Sequence, residues 1–287
     1  MTNETVTERD FDVVVWGASG FTGKLVAAYL YEQYGVGGEL RWAIGGRDKM
    51  KLEKVRAGLG ADAGEIPILI GDSNDAASMA EVAASTAVVC STVGPFAKYG
   101  SELVAACVRG GTHYCDITGE VQWMRRMIDG YEEEAQESGA RIVHACGFDS
   151  IPSDLGCFYV NRAMWERHGV PCREVKTRVR KMKGAFSGGT VASILNAVEE
   201  ARQDPEARRT MGNPYGLNPA EAQAGPDGPD QRGPAWDDDV DSWTAPFVMA
   251  AINTRVVRRS NVLMDYAYGE DFRYSEAMIT GAGHGGW

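Results

Sequence analysis

A glycine-rich turn near the N-terminus has the residue types and spacing that bind the phosphates of a dinucleotide. Gly17, Gly20 and Gly23 form GxxGxxG directly after the apolar run Phe11 to Trp16. Glycines at these places permit a tight turn, close approach of the backbone to a pyrophosphate, and close packing of a helix on a strand. The following helix would offer N–H groups and its positive dipole end to the phosphates. An ordinary turn is the alternative. The residues of this turn predicted to bind the cofactor are Gly17, Ser19, Gly20, Phe21, Thr22 and Gly23.

The residues after the second apolar run indicate which nicotinamide cofactor the site prefers. An NAD enzyme usually carries Asp or Glu there to bind the ribose 2'-hydroxyl, whereas this chain reads AIGGRDK, with Arg47 after two glycines. A guanidinium suits a 2'-phosphate and stacks on adenine, and Lys49 adds a second cation. The sequence therefore favours NADP. Two alternatives stay open: Arg47 and Lys49 could be solvated loop charges, and Asp48 could bind a 2'-hydroxyl.

Two further strand ends complete the predicted cofactor site. Ligands of open α/β sheets bind outside the carboxyl ends of the strands. Asp72 follows the third predicted strand and would border the adenine pocket, while Thr92, Gly94 and Pro95 follow the fourth. We expect these residues to line the bound dinucleotide.

Three later turns carry carboxylates and hydroxyls where predicted strands end. They read HYCDITGE (113–120), HACGFDSIPSD (144–154) and FSGGT (186–190). Each residue has an ordinary alternative, since Thr118 or Ser153 could simply cap a helix. Taken together, the three turns favour one cleft that holds a site.

Metal binding is the weaker interpretation of the remaining polar clusters. His113 and Cys115 have the spacing that puts two zinc ligands on one strand face, and so do His144 and Cys146. Buried structural residues are the better explanation. The acidic run at 237–239 lacks the glycine and distal Glu of an EF-hand loop and is most simply a solvated loop. We therefore predict no metal site.

The pattern between the turns predicts the sheet that must hold them. Short apolar runs alternate with helical segments from Phe11 to Ala145, which indicates a parallel sheet with helices on both faces. The fold class is therefore α/β, with a Rossmann-type doubly wound parallel sheet. The predicted strands are 11–16, 40–44, 66–70, 87–93, 113–117 and 141–145, and the predicted helices are 24–34, 49–58, 101–109 and 121–138.

The second half of the chain has a different pattern. Glu174 to Met182 alternates apolar and basic residues, so one face is wet and the segment belongs to another sheet. Residues 204–246 are rich in Pro, Gly and Asp and predict a long loop or lid, whereas Thr254 to Tyr266 has strand character. We predict an NADP-binding Rossmann domain over 1–150 and an α+β domain for substrate binding or dimerisation over 151–287.

Composition excludes several classes of protein. The chain of 287 residues carries a formal net charge of -11, which argues against a nucleic-acid partner. The N-terminus has no signal-peptide pattern, and no apolar run approaches the length of a membrane span. The six cysteines form no CxxC pair, so we expect buried thiols without disulfides and a cytoplasmic location.

Six segments in this order resemble one family. GASGFTG, GGR, STVGPFAKYG, GTHYCDITGE, ARIVHACGFDSIPSDLG and SGGTVAS look like the saccharopine dehydrogenase-like oxidoreductases, and especially the trans-acting enoyl reductases of polyketide-lipid assembly. The resemblance spans roughly Phe11 to Asn196. It implies an N-terminal NADP-binding Rossmann domain and a second domain with a mixed sheet.

The resemblance also implies a substrate and partners. The reaction would be reduction of a carbon–carbon double bond in an acyl chain that a carrier or partner synthase presents. Relatives are considerably longer, which implies that the second domain is incomplete at its C-terminal end and that membrane contact would come only through the missing part. Assembly as a homodimer is an open expectation. The basic face of Lys176, Arg178 and Arg180 could meet a phosphopantetheine arm or an acidic carrier, although a plain solvent face is simpler.

Such a reaction needs a proton donor. Hydride transfer to an enoyl thioester creates an enolate that must be protonated at the α-carbon. The candidate donors or donor holders are Tyr114, Asp116, Asp149 and Ser150. Tyr99 and Tyr114 lack a YxxxK pattern, so a short-chain dehydrogenase mechanism is not supported. Two other functions stay open: a saccharopine-type imine or amino-acid dehydrogenase, and a non-catalytic NADP-binding scaffold.

Overall fold

The computed structural model describes residues 9–183 and 188–283, which divide into two compact units. Unit 1 contains the described parts of 9–118, 126–144 and 188–193, and unit 2 contains 119–125, 145–183 and 194–283. One crossing from unit 1 to unit 2 falls between His144 and Ala145, close to the predicted division after residue 150.

Unit 1 is built on a six-stranded sheet of order β3-β2-β1-β4-β5-β6. Every neighbouring pair in it is parallel. The order reverses between β1 and β4, which makes this the switch point of a doubly wound fold. The predicted α/β fold class is confirmed. The strands are β1 (Phe11–Trp16), β2 (Trp42–Gly46), β3 (Ile68–Ile70), β4 (Thr86–Ser91), β5 (His113–Asp116) and β6 (Ile142–Val143).

Helices connect these strands, and further helices follow the last strand of this sheet along the chain. α1, α5 and α6 end at the predicted residues, although α1 begins three residues before the predicted start at Lys24. The helices are α1 (Phe21–Tyr34), α2 (Lys49–Ala57), α3 (Ala76–Ala84), α4 (Phe96–Tyr99), α5 (Ser101–Arg109), α6 (Val121–Ser138), α7 (Ile151–His168), α8 (Gly188–Gln203), α9 (Pro205–Gly212) and α10 (Ala250–Leu263).

The core of unit 1 forms where its central strands are apolar on both faces. Val14 and Val15 of β1 are fully buried, and all five residues of β2 are buried. Such continuous apolar runs are typical of parallel strands covered by helices on each side. Leu52 of α2 and Ala27 of α1 pack into the same core. The two strands that precede the predicted cofactor turns are therefore rigidly held.

Unit 2 is built on a four-stranded mixed sheet of order β7-β10-β9-β8. Its strands are β7 (Glu174–Val179), β8 (Ala235–Asp237), β9 (Ser242–Pro246) and β10 (Arg273–Gly281). β10 pairs in parallel with β7 and antiparallel with β9. The prediction that the alternating segment from Glu174 belongs to a second sheet is confirmed for Glu174–Val179.

Two predictions for the second half of the chain are wrong. Thr254 to Tyr266 lies mainly in helix α10, whose buried positions recur at intervals of three and four, as in Thr254, Val257, Arg258 and Asn261. Several of these buried positions are polar, which hides the helical period from a hydropathy pattern.

Residues 204–246 are not a structureless loop, because they contain α9, β8 and β9. Asp204 caps α9 by accepting a 2.8 Å hydrogen bond from the Glu206 N–H. Asp227 pairs at 2.7 Å with Arg258 of α10, and Asp230 pairs with Arg255 of the same helix. Buried ion pairs therefore fix a segment whose composition alone indicates a loop.

Within the described residues, no helix has both the length and the apolar character needed to cross a bilayer.

Candidate functional site

The glycine turn between β1 and α1 has the geometry of a phosphate cradle. Gly17 has a φ of +89°, which favours glycine. A Cβ on Gly17 would lie 2.5 Å from Val93 Cγ2, and one on Gly23 would lie 2.3 Å from the Gly17 carbonyl oxygen. The Gly17 N–H donates to the Gly45 oxygen at 2.8 Å. Both glycines are therefore required by close packing, and the turn is fixed to β2.

The N-terminus of α1 is suited to a negatively charged ligand. Gly20 is the N-cap residue and supplies no capping side chain, and the first turn carries no acidic residue. Phe21 at the start of the helix is 72% exposed, and Ser19 and Thr22 lie on either side of the cap. Helix N–H groups and the helix dipole attract phosphate at such a terminus. The cradle thus fits the pyrophosphate of a dinucleotide.

The structure separates the roles of the charged residues after β2. The Asp48 carboxylate caps α2 by accepting a 3.1 Å hydrogen bond from the Lys51 N–H, which holds the pKa of Asp48 below its usual value. The Nζ atom of Lys49 lies 3.9 Å from Oε1 of Glu53, an ion pair within α2. Arg47 is exposed, and no hydrogen bond or ion pair to it occurs within residues 9–183 and 188–283. Arg47 is therefore the cation best placed to bind a 2'-phosphate, while Asp48 has a structural role.

The other predicted cofactor residues lie at the same edge of the sheet. Asp72 is exposed after β3, and its carboxylate accepts a 3.0 Å hydrogen bond from the Asn74 N–H. The Thr92 hydroxyl donates to the Trp16 oxygen at 3.2 Å, so Thr92 supports the glycine turn. Gly94 and Pro95 lie between Thr92 and the start of α4 at Phe96. Their contacts with a dinucleotide stay predictions.

Tyr114 and Asp116 lie on the same face of β5, in unit 1. Both residues are 1% exposed. Burial raises the pKa of Tyr114 well above its usual value, and the neighbouring charge of Asp116 adds to the shift. The Tyr114 hydroxyl has no hydrogen-bond partner within the described residues. Tyr114 is thus a poor proton donor to any group outside the sheet.

Asp116 pairs with a residue that the sequence patterns do not single out as catalytic. Its Oδ2 lies 2.7 Å from Nδ1 of His144, the residue directly after β6. Its Oδ1 accepts a 3.0 Å hydrogen bond from the Thr118 N–H. From sequence, His144 begins the HACGFDSIPSD turn and has a ligand-like spacing to Cys146, but it is not among the candidate proton donors. The pairing depends on the register of β5 and β6, which a linear pattern does not specify.

Asp149 and Ser150 lie in unit 2. Asp149 is exposed, and its carbonyl oxygen accepts a 2.8 Å hydrogen bond from Asn253. The buried Ser150 hydroxyl donates to Asn253 Oδ1 at 2.8 Å. Asn253 in turn donates to buried Glu276. Ser150 is thereby part of a polar network inside unit 2, and its catalytic role stays a prediction.

The remaining polar clusters have internal partners. Asp237 accepts a 2.6 Å hydrogen bond from Arg178, and Asp239 pairs with Lys176. Two carboxylates of the acidic run therefore pair with two cations of the basic strand. Among the described residues, no three His, Cys, Asp or Glu side chains form a metal-binding group. No disulfide joins any of the six cysteines. Phe186 and Ser187 of the predicted FSGGT turn lie outside the described residues.

Comparison with known families identifies the first part of the chain. Residues 13–143 match the family model of the saccharopine dehydrogenase NADP-binding domain. This match runs from Val13, within β1, to Val143 at the end of β6 and so includes at least part of every strand of the parallel sheet. The predicted NADP preference is confirmed at the level of the domain.

Curated relatives extend the similarity over nearly the whole chain. A candidate trans-acting enoyl reductase of Mycobacterium tuberculosis is 47% identical over 284 residues, which cover 97% of this chain and 67% of the relative. A trans-acting enoyl reductase of Mycobacterium bovis is 42% identical over 281 residues, which cover 96% of this chain and 66% of that protein. This chain thus spans about two thirds of the length of these relatives.

Two solved structures show weaker likeness. Saccharopine dehydrogenase (L-Glu forming) of Saccharomyces cerevisiae gives a TM-score of 0.41 at 18% identity, over 53% of this chain and 32% of that one. The triphenylmethane reductase of Citrobacter in complex with NADP(H) gives 0.39 at 16% identity, over 66% of this chain and 65% of that one. Both scores are too low to bear on the function of this chain.

Proposed function

Because this chain belongs to the saccharopine dehydrogenase-like oxidoreductases that include the mycobacterial trans-acting enoyl reductases, we propose that it uses NADPH to reduce a carbon–carbon double bond in an acyl chain. The observation that carries the proposal is 47% identity over 97% of the chain to a relative of that class. The geometry at the switch point of the parallel sheet supports the choice of cofactor.

The residues at the carboxyl edge of unit 1 would hold NADP in two parts. The N-terminus of α1 and the Gly17–Gly23 turn would bind the pyrophosphate, since a side chain on either glycine would collide with the turn or its support. On the side of β2 and β3, exposed Arg47 would bind the 2'-phosphate and Asp72 would border the adenosine half. The side of β4 to β6 is then left for the nicotinamide half.

When bound, NADPH supplies a hydride to one carbon of a polarised double bond. The protein itself would orient the acyl group, exclude water and stabilise the charge that develops on the thioester oxygen. We propose that the acyl group arrives as a thioester, presented by a carrier or synthase, as the term trans-acting suggests for the relatives.

The proposal is tested by mixing the purified chain with NADPH and an α,β-unsaturated acyl thioester. We expect NADPH consumption and a product that gains two hydrogens, measured by fluorescence and mass spectrometry. A Gly23→Ala variant is the matched control, because its Cβ would lie 2.3 Å from the Gly17 oxygen and block the turn. It should neither bind nor consume NADPH.

Two outcomes would contradict enoyl reduction. NADPH oxidation with a 2-oxo acid plus an amine, but not with the enoyl thioester, would favour a saccharopine-type imine dehydrogenase. Tight NADPH binding without oxidation by enoyl, imine or carbonyl substrates would favour a non-catalytic scaffold.

A further inference from the structure

We infer that His144 donates the proton to the substrate α-carbon in this reaction and that Asp116 positions its imidazole. The inference rests on the proposed enoyl reduction and assigns to it a residue that sequence patterns did not single out as catalytic. The supporting observation is the arrangement of three side chains on β5 and directly after β6, namely Tyr114, Asp116 and His144.

The register of the sheet brings His144 and Asp116 together. Tyr114 pairs with Ile142 and Cys115 with Val143, so the next step of the same register places Asp116 beside His144. The Asp116 side chain is fully buried, and its Oδ2 lies 2.7 Å from Nδ1 of His144. A carboxylate oxygen accepts hydrogen bonds, so Nδ1 carries a hydrogen and the proton that the ring gains or loses is the one on Nε2. Proton transfer through Nε2 is then the reactive function of this ring.

The surroundings of the His144–Asp116 pair favour a catalytic role for His144 over a purely structural link between two strands. The Thr118 N–H holds the second Asp116 oxygen at 3.0 Å, so the carboxylate is fixed from both sides. The Tyr114 ring packs edge-on to the imidazole, with ring centroids 6.0 Å apart. A base or acid oriented by a buried carboxylate is the arrangement that acid–base catalysis repeatedly uses.

The position of the pair also suits the reaction. Asp116 ends β5 and His144 directly follows β6, on the side of the switch point opposite Arg47 and Asp72. Ser91, the last residue of β4, is the register partner of Asp116. If the adenosine half lies over β2 and β3, the reacting end of the cofactor lies toward β4 to β6. The imidazole at that end keeps some exposure, 9% of its side chain.

The other residues predicted as donors are less suitable. The Tyr114 hydroxyl is wholly enclosed, and its raised pKa makes proton release harder. The Asp116 oxygens are held by His144 and Thr118. The Ser150 hydroxyl donates to Asn253 within unit 2. Of these groups, the imidazole is the one whose ring nitrogens most often transfer protons in enzymes.

The proposed step balances as follows. NADPH would supply the hydride and become NADP⁺. As the β-carbon gains its C–H bond, the carbon–carbon π bond breaks and its electron pair moves through the α-carbon to the thioester oxygen as an enolate. The Nε2–H bond of the protonated His144 ring then breaks, the α-carbon gains a C–H bond, and the thioester carbonyl re-forms. Water returns a proton to the neutral imidazole, so the chain ends the cycle unchanged.

The kinetic test compares unmodified chain with His144→Gln and Asp116→Asn. We expect His144→Gln to lower kcat by roughly 10²- to 10⁴-fold with little change in NADPH binding, and Asp116→Asn to lower it by about tenfold or more. His113→Gln is the matched control, because His113 lies on β5, the strand that carries Asp116, and its Nδ1 accepts a 3.1 Å hydrogen bond from the Arg141 N–H. It should keep kcat within about twofold.

Two readouts separate catalysis from a structural role. In deuterated water the unmodified chain should place deuterium on one face of the α-carbon, whereas His144→Gln should give a mixture of both configurations. In cofactor-free protein, NMR of the imidazole nitrogens should show hydrogen on Nδ1 of His144, and Asp116→Ala should remove that preference.

Each outcome bears on a different claim. No NADPH oxidation by the unmodified chain with an enoyl thioester would overturn the proposed function and the role of His144 with it. Full turnover by His144→Gln with a single product configuration, or a neutral His144 with hydrogen only on Nε2, would overturn the role of His144 alone. Loss of folding in Asp116→Asn, detected by thermal unfolding, leaves His144→Gln to decide.

Discussion

At the scale of single residues, the cofactor preference depends on two neighbours with different surroundings. The Asp48 carboxylate is occupied by the Lys51 N–H at 3.1 Å, whereas Arg47 is exposed beyond the end of β2. An acidic side chain that already caps a helix has less capacity to bind a ribose hydroxyl. Thr92 likewise supports the glycine turn, because its hydroxyl donates to the Trp16 oxygen.

Reversal of the charge at Arg47 should discriminate between the two nicotinamides. Hydrogen bonds to charged groups contribute about 1.5–3 kcal/mol, so Arg47→Glu should weaken NADPH roughly 10- to 100-fold. NADH affinity should change less than about threefold, because NADH has no 2'-phosphate. Fluorescence titration measures both. Lys54→Glu, on the exposed side of α2, is the control with the same charge change. An equal loss of both affinities would contradict the assignment.

At the scale of elements, charged side chains decide much of the structure. Asp48 caps α2, Asp75 caps α3 and Asp204 caps α9, each through a carboxylate that accepts from the backbone of its helix. In unit 2, the basic strand β7 and the acidic run after β8 are internal partners through Arg178 and Asp237. A charge pattern that suggests an acidic carrier or a cation as ligand is thus largely satisfied within the fold.

Removal of the α2 cap tests the structural assignment of Asp48. Asp48→Ala should lower the free energy of unfolding by about 0.5–2 kcal/mol, the usual contribution of an N-cap. Asp75→Ala removes the equivalent cap of α3 and should cost a similar amount. Urea unfolding measures the stability of both variants. Dinucleotide affinity should stay within about twofold in each; a selective loss of NADH or NADPH binding in Asp48→Ala would instead make Asp48 a ribose ligand.

At the scale of the whole molecule, the described chain contains two units with separate sheets and cores. The Rossmann core of unit 1 includes Val15, Ile44 and Leu52, and the core of unit 2 includes Val257, Phe272 and Tyr274. The predicted pyrophosphate and 2'-phosphate contacts all lie in unit 1. NADP binding should therefore stabilise unit 1 directly.

Calorimetry should detect this stabilisation. NADP⁺ at about one hundred times its Kd should stabilise the folded state by about 2.7 kcal/mol, which raises the transition temperature of unit 1 by several degrees. NAD⁺ at the same concentration should raise it less, because it lacks the 2'-phosphate that Arg47 would bind. The same shift with both nucleotides would argue against an NADP preference.

The sequence by itself determined the parallel sheet, the glycine turn and the preference for NADP. These features are local: β1, the turn and α1 are contiguous, and Arg47 directly follows β2, so apolar runs, glycine spacing and one charge suffice to predict them. The family resemblance rests on motifs of the same kind. Helix ends such as Arg109 and Ser138 were predictable because apolar periodicity and a following glycine mark them.

Only the tertiary structure decided the features that depend on distant partners. α10 is a helix with buried Arg255 and Arg258, which are tolerable only because Asp230 and Asp227 neutralise them. β10 acquires its place between β7 and β9 from pairing with strands far away in the chain. His144 lies 28 residues from Asp116, and only the register of β5 and β6 brings the imidazole within 2.7 Å of the carboxylate. A linear pattern reports which side chains are present, but their charge and proton chemistry depend on neighbours that folding supplies.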